Sequence, residues 1–182
     1  MPRKLASLAL LCLLAIVVAA PAARAASAGE IEAGVNATLE RFYRNIGGAR
    51  ELAQKAVGVL VFPSVVKAGF GIGGEYGEGA LRIRGRTVDY YNMVSASIGF
   101  QLGVQERSVI IMFMTPQALD QFQRTAGWKI GADASVAIIT LGVGGSIDTN
   151  KITSPVVGFV LDPKGLMYNL TLEGSKITRI NR

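Results

Sequence analysis

The sequence predicts an α+β fold: a curved antiparallel β-sheet or partly closed β-barrel with glycine-rich strands, an amphipathic N-terminal helix and one or two further short helices. Three observations lead to this prediction. After Ser27, apolar residues recur every three or four positions, which is the period of a helix. From Val57 onward, apolar residues alternate with small or polar ones, which is the period of a strand. Clusters of glycine and proline divide that part of the chain into separate strands.

The first 25 residues have the composition of a cleaved signal peptide. Arg3 and Lys4 precede an apolar run over 5–20, Pro21 ends the run, and Ala23-Arg24-Ala25 offers small residues at the positions that a signal peptidase reads. The alternative, a membrane anchor, needs about 20 apolar residues. We therefore expect cleavage after Ala25, a periplasmic or secreted protein, and a single domain over 26–182.

Cleavage removes the one cysteine and half of the net charge. Cys12 lies within the apolar run, and Leu11 before it argues against a lipoprotein site, which requires a small residue there. The mature chain then has no thiol for disulfides, catalysis or metal binding. Its net charge falls from +6 to +3, because the leader carries three basic residues and no acid. This charge permits attraction to an anionic surface and does not call for a nucleic acid.

Three helices are predicted, the first of them amphipathic. Ser27 and Glu30 form a capping-box pattern, and Gly47-Gly48 ends the helix that follows. The apolar stripe of this helix consists of Ile31, Val35, Leu39, Phe42 and Ile46. A shorter helix is expected over 49–56. Thr115 and Pro116 supply an N-cap and a first-turn proline for a third helix that extends to Arg124, with Leu119 and Phe122 facing inward.

The remaining chain is expected to form short strands joined by tight turns. The predicted strands cover 57–62, 67–76, 80–84, 88–104, 108–114, 130–140, 141–147, 156–161 and 167–172. The predicted turns cover 77–79, 84–86 and 162–165, where glycine and proline occur in the patterns that turns favour.

Several of these strands have one face that is almost without side chains. Gly69, Gly71 and Gly73 alternate with Phe70 and Ile72, and similar patterns occupy 94–103 and 131–136. We interpret the glycines as structural, because such a face usually marks the close approach of another group. The N-terminal helix, a neighbouring sheet or an acyl chain are the candidates to cover it.

The sequence gives little support for an enzyme. It contains no histidine, which removes the commonest general base and metal ligand, and its carboxylates are spread singly. The spacing of Gly69–Gly74 matches a dinucleotide fingerprint, but no helix follows it. Ser64 and Lys67 match a penicillin-interacting motif whose two further elements do not occur. We expect no catalytic residue, metal or cofactor, and we interpret Asp133 as a buried structural anchor on a small-residue strand.

The basic residues are the remaining candidates for a binding site, and we predict that they bind lipid. For any single one, a solvated surface is the simpler interpretation. As a group beside an amphipathic helix, they suit anionic lipid headgroups. The set consists of Arg41, Arg44, Arg50 and Lys55 in the helical region, and Lys67, Arg82, Arg84 and Arg86 in the strands that follow.

Residues 56–74, beginning Ala56-Val57-Gly58-Val59-Leu60-Val61-Phe62-Pro63-Ser64, closely resemble the signature of the SYLF domain family. Residues 77–79, 97–103, 118–122 and 131–137 are similar to it as well, in the family's order. The resemblance implies phospholipid binding, often of phosphatidylinositol lipids, and actin binding in some eukaryotic members. This chain departs from the family at Val88–Asn92 and at Thr140-Leu141-Gly142, which affects loops that would set ligand specificity.

Export changes which of these partners we expect. An exported protein does not meet actin in its own cell, and phosphatidylglycerol or cardiolipin are nearer at hand than phosphoinositides. We therefore predict a peripheral protein that binds anionic phospholipids or a membrane surface. A structural or partner-binding protein of the cell envelope is the alternative, and an enzyme acting on lipid or cell-wall material is a third.

Overall fold

The computed structural model describes residues 25–140, 146–164 and 172–182. Its helices are α1 (Ala28–Asn45), α2 (Ala49–Lys55) and α3 (Pro116–Arg124), with a 3-10 turn at Thr149–Lys151. Its strands are β1 (Gly58–Ile83), β2 (Arg86–Phe113), β3 (Trp128–Lys129), β4 (Ala137–Thr140), β5 (Val156–Lys164) and β6 (Lys176–Ile180). The strands form one curled, half-barrel sheet, so the predicted α+β fold is confirmed.

Two very long strands form the frame of the sheet. β1 and β2 pair antiparallel along their whole length, from Gly58 opposite Phe113 to Ile83 opposite Arg86. On its other edge, β2 pairs with β6 near its start and with β5 near its end. β3 then adds to β6, and β4 adds to β5 in the parallel sense. Apart from that last pair, the described sheet is antiparallel as predicted.

The β1–β2 ribbon folds back on itself. Lys67 and Glu75 lie in the same strand, where eight residues of straight strand would span roughly 26 Å. Nevertheless, the Lys67 Nζ and Glu75 Oε1 atoms are 3.3 Å apart. Gly77 also lies directly against Ser64 and Val65. The side of the ribbon that carries Lys67, Glu75 and Gly77 is therefore the inner side of a bend, and another part of the same ribbon faces it.

Three predicted strands, over 57–62, 67–76 and 80–84, are one continuous strand. Pro63 does not end it, because a register shift between Phe62 and Val65 accommodates the proline as a bulge. The predicted turn at 77–79 is wrong. A Cβ atom on Gly77 would lie 2.7 Å from the Ser64 carbonyl oxygen, and one on Gly79 would overlap the Val61 carbonyl oxygen. These glycines permit close packing within a strand. In the sequence, the same cluster of glycines resembles the pattern of a turn, which is why a turn was predicted.

Other strand boundaries also differ from the prediction. The stretches 88–104 and 108–114 are joined in β2, and β5 continues through Lys164, so the described part of the predicted turn at 162–165 is strand. Residues 130–140 are strand only at their end, because 131–133 form a turn. β6 was not predicted. The signal peptide, except Ala25, and most of the predicted strands at 141–147 and 167–172 lie outside the described residues.

The helices begin and end almost where the sequence predicts. In the capping box of α1, Ser27 Oγ accepts a hydrogen bond from the Glu30 amide, and the Glu30 carboxylate accepts one from the Ser27 amide. Thr115 caps α3 by accepting from the Ala118 amide. The sheet thereby acquires a helical cover on each face, and each cover buries a separate apolar cluster.

The two clusters divide the interior. The first, under α1 and α2, includes Ile31, Val35, Leu39, Phe42, Leu52, Val59, Val61, Ile110, Met112, Val157 and Phe159. The second, on the opposite face under α3, includes Leu60, Phe62, Leu81, Met93, Ile111, Phe113, Phe122, Trp128 and Ile177. Alternate residues of β1 and β2 serve the two clusters in turn, which explains why these segments read as nearly continuous apolar runs.

Candidate functional site

A large open groove lies where the first two helices meet the β1–β2 turn and α3. Its volume is about 1030 Å³. Its apolar lining includes Leu39, Tyr43, Val57, Val59, Ile83, Pro116 and Leu119. Its basic lining consists of Arg50, Lys55, Arg82 and Arg84, and its acidic lining of Glu40 and Asp120. We call this feature the basic groove.

Tyr43 lies between two of the groove's cations. The Arg50 guanidinium carbon is 4.9 Å from the centre of the Tyr43 ring, which is a cation–π contact. Burial raises the pKa of the Tyr43 hydroxyl, and the positive charges of Arg50 and Arg82 act in the opposite direction. The phenol therefore remains neutral at physiological pH and contributes an apolar ring and a hydroxyl to the groove.

Arg82 connects the β1–β2 turn to α1. Its Nη2 atom lies 2.8 Å from Glu32 Oε2, and Tyr90 donates a hydrogen bond to the same carboxylate. Burial raises the pKa of Glu32, but hydrogen bonds and the charge of Arg82 outweigh it and hold the pKa below its usual value. Since this guanidinium is mostly buried and already paired, it contributes mainly to the shape and rigidity of the groove wall.

Lys55 and Arg84 are exposed cations, in contrast to Arg82. Lys55 pairs with Glu51 at 2.8 Å and also donates to Thr149. Arg84 occupies the two-residue turn with Gly85, and both have positive φ angles, 52° and 76°, as this type of hairpin turn requires. Among the described residues, no carboxylate lies within ion-pair distance of Arg84. The same holds for Arg50, so Arg50 and Arg84 are the lining cations without a carboxylate partner among the described residues.

The structure brings together four of the eight predicted lipid-binding residues. Arg86 follows the turn but is not among the groove's lining residues. Arg41 donates to Ser108 Oγ and Thr38 Oγ1, and Arg44 is exposed at the end of α1, outside the groove. Lys67 lies far along the ribbon with its ammonium group buried. The expected grouping of all eight residues on one surface is therefore not observed.

Lys67 belongs to a buried ionic cluster inside the bend of the ribbon. Lys67 Nζ lies 3.3 Å from one carboxylate oxygen of Glu75, and Arg107 Nη2 lies 2.6 Å from the other. All three side chains are at least nine-tenths buried. Sequence reasoning missed this cluster because Glu75 and Arg107 are distant in the chain and look like ordinary surface charges. Gly69, Gly71 and Gly73 lie in β1 between Lys67 and Glu75, along the bend.

Asp133 lies in a turn rather than on a buried strand. Its carboxylate accepts a hydrogen bond from the Lys129 amide at 2.6 Å, and its carbonyl accepts one from Gln121. The side chain is only partly buried, so the expectation of a buried strand carboxylate was wrong. The local reason is that this carboxylate closes the turn after β3, which a strand conformation would prevent.

The carboxylate of Glu78, which the sequence analysis did not single out, connects the two ends of the described chain. Glu78 accepts hydrogen bonds from Arg182, from the Tyr76 hydroxyl and from the Ala26 amide at 3.2 Å. Burial raises the pKa of Glu78, but the hydrogen bonds from Arg182 and Tyr76 and the charge of Arg182 hold it below its usual value. Glu78 is thus an anchor for the N-terminal and C-terminal segments.

Two further kinds of site were sought among the described residues, a metal site and a membrane-spanning helix. Within residues 25–140, 146–164 and 172–182, no three acidic, cysteine or histidine residues come together as a metal site would require. In the same residues, no helix has the length and apolar character to cross a bilayer. The basic groove is the feature with the clearest binding chemistry, because its lining combines four cationic side chains with apolar residues and only two carboxylates.

Comparison with known families finds a match over part of the chain. The family model described as "Ysc84: Las17-binding protein actin regulator" matches residues 94–181, from within β2 to the end of the sheet. No curated protein matches the chain. The matched range contains three segments that resemble the SYLF signature, at 97–103, 118–122 and 131–137. The match over residues 94–181 confirms the predicted resemblance of this part of the chain to the SYLF (Ysc84) domain family.

Proposed function

We propose that this protein binds anionic phospholipids, and that the basic groove receives the headgroup. The observation that carries the proposal is the composition of the groove: four cationic side chains, two carboxylates and several apolar residues line a space of about 1030 Å³. A phospholipid has the complementary chemistry, a phosphate joined to hydrocarbon. The family's association with lipid binding supports the same interpretation.

Arg50 and Arg84 are the residues that we expect to contact phosphate. Arg82 and Lys55 already have carboxylate partners, whereas Arg50 rests on an aromatic ring and Arg84 projects from an exposed turn. Guanidinium groups bind phosphate oxygens through two parallel hydrogen bonds, so two of them could hold one headgroup from two sides.

The test is co-sedimentation of the mature protein with vesicles of phosphatidylcholine alone or mixed with phosphatidylglycerol. We expect binding that increases with anionic lipid and falls with added salt. In the double variant Arg50→Gln/Arg84→Gln, binding to anionic vesicles should fall roughly tenfold to thirtyfold, since each cation near such a surface contributes about 1 kcal/mol.

A matched control changes the net charge equally at another place. Lys129 and Lys176 are exposed and lie opposite each other in β3 and β6, so Lys129→Gln/Lys176→Gln removes two charges outside the groove. This variant should keep its vesicle binding. Equal losses in the two variants would mean that only net charge matters, and the groove would no longer be the site.

We also propose that the protein is exported and cleaved after Ala25. The position of Ala26 is favourable for this, because its nitrogen lies 3.2 Å from a Glu78 oxygen. A new ammonium group there would pair with the carboxylate. Mass spectrometry of the periplasmic or secreted protein should give a chain that begins at Ala26, and recovery of the uncleaved chain in the cytoplasm would refute export. Since actin is absent from that compartment, we do not extend the family's actin-related name to this chain.

A further inference from the structure

The two flanks of the bend in the β1–β2 ribbon carry exposed apolar residues on their outer side. On both sides of the bend, exposed residues alternate with buried ones. The exposed residues that flank the bend are Val66, Ala68, Gly74, Tyr76, Val94, Ala96 and Val104. We call this set the ribbon tip. The exposed fraction is 70% for Val104 and 48% for Tyr76, which is high for large apolar side chains on a strand.

Strand register places these residues on one side of the ribbon. Ala68 is opposite Val104, and Tyr76 is opposite Val94. The intervening positions, including Lys67, Glu75 and Gln105, are buried on the inner side of the bend. Because the two inner sides face each other, the two outer sides face away from each other. The apolar surface therefore covers both flanks of the bend, as on a wedge.

The described part of the ribbon tip is uncharged, and charged groups border it. The next outward residue beyond Val104 is Glu106, which accepts a hydrogen bond from Ser64. Beyond Tyr76 lies Glu78, which is paired with Arg182. The Tyr76 hydroxyl donates to Glu78, so this ring has its polar end at the boundary and its apolar body toward the tip. An apolar band with charges and a tyrosine at its border matches the layering of a bilayer surface.

We propose that the ribbon tip inserts into the hydrocarbon of a phospholipid bilayer. Fluid acyl chains can surround both flanks of a wedge, whereas a single protein partner would cover one flank and leave the other exposed. The inference rests on the proposed function, since it names a second lipid-contacting surface. It also goes beyond that function, because a basic groove by itself needs only headgroups at the surface.

The experiment places a fluorescent probe at the tip. Val104→Trp is compared with the wild-type protein, whose Trp128 is buried in the core, and with Val88→Trp. Val88 is 45% exposed on the same strand but lies near the β1–β2 turn, away from the bend. Each protein is mixed with vesicles of phosphatidylglycerol and phosphatidylcholine, the latter with or without bromine on its acyl chains, which quenches tryptophan only within the hydrocarbon.

We expect bromine to quench the added emission of Val104→Trp at least twofold and to leave Val88→Trp and the wild type unchanged. Co-sedimentation without quenching would overturn the inference and leave the proposed function intact. Failure of all three proteins to co-sediment would overturn both.

As a second variant, Val104→Asp should bind these vesicles at least tenfold more weakly while its circular dichroism stays unchanged, because the side chain makes few contacts in the fold. Self-association that this variant abolishes, without quenching in Val104→Trp, would identify a second copy as the occupant and also overturn the inference.

Discussion

At the scale of single residues, two glycines in β1 decide whether the ribbon can fold back. Gly77 and Gly79 lie against the backbone of residues 61–65 in the same strand, where a side chain would collide with carbonyl oxygens. Backbone atoms cannot move aside as the end of a flexible side chain can. The absence of a Cβ atom at these positions is thus a requirement of packing.

We therefore expect Gly79→Ala to destabilise the protein strongly, on the order of 3 kcal/mol, as overpacking against a rigid backbone does. Gly74→Ala is the matched control, because a Cβ there would meet only the Ser95 carbonyl oxygen, at an ordinary distance of 3.7 Å. Urea unfolding monitored by circular dichroism measures both variants. Similar midpoints for the two would contradict the close approach at Gly79.

Glu75 has a comparable role for the charges inside the bend. Removing its charge by Glu75→Gln leaves Lys67 and Arg107 buried without a counter-charge, and we expect a loss of about 3–5 kcal/mol of unfolding free energy. The control is Glu51→Gln, which breaks an exposed ion pair and should leave the urea midpoint nearly unchanged. An equally small effect in both variants would show that the cluster does not depend on this carboxylate.

At the scale of elements, α1 depends on its first turn as well as on its apolar stripe. The stripe packs on β1, β2 and β5, and Glu32 ties the helix to Arg82 near the ribbon's turn. The capping box satisfies backbone amides that have no partner within the helix. Since α1 also supplies one wall of the basic groove, its stability and the shape of the groove are linked.

Ser27→Ala removes the capping oxygen and should lower the unfolding free energy by about 1 kcal/mol. Ser27→Asp keeps an acceptor at the same place and should stay within a few tenths of a kcal/mol of the wild type. Thermal unfolding at neutral pH distinguishes the two. If both variants lost stability equally, the hydroxyl itself, rather than capping, would be responsible.

At the scale of the whole molecule, Glu78 holds distant parts of the chain together. It joins β1 to the C-terminal Arg182 and to Ala26 before α1. Because the pKa of Glu78 is lowered in the folded protein, its contribution to stability is present above the usual glutamate value of 4.5. The contribution is lost as the pH falls from that value through the lowered pKa, and Glu32 behaves in the same way.

Unfolding free energies measured from pH 7 to pH 3 should therefore decrease below about pH 4.5. In Glu78→Gln the decrease should be smaller, because the variant has no carboxylate to protonate at this position and is already less stable at pH 7. Glu106→Gln, which alters an exposed hydrogen bond to Ser64, serves as the control and should follow the wild-type curve. A Glu78→Gln curve parallel to that of the wild type would exclude Glu78 from the acid transition.

The sequence by itself determined the features whose signals are local. The three helices, their caps and the tight turn at Arg84-Gly85 follow from neighbouring residues, and the family resemblance was recognised from contiguous motifs. The tertiary structure decided what depends on long-range contact. Glycines at 77 and 79 serve a turn or a close packing equally well, and only the bend of the ribbon distinguishes the two. Likewise, one groove is lined by Arg50, Lys55, Arg82 and Arg84, whereas Lys67 is buried elsewhere. The bend of the ribbon decides which of these residues lie together, and their spacing in the chain does not show it.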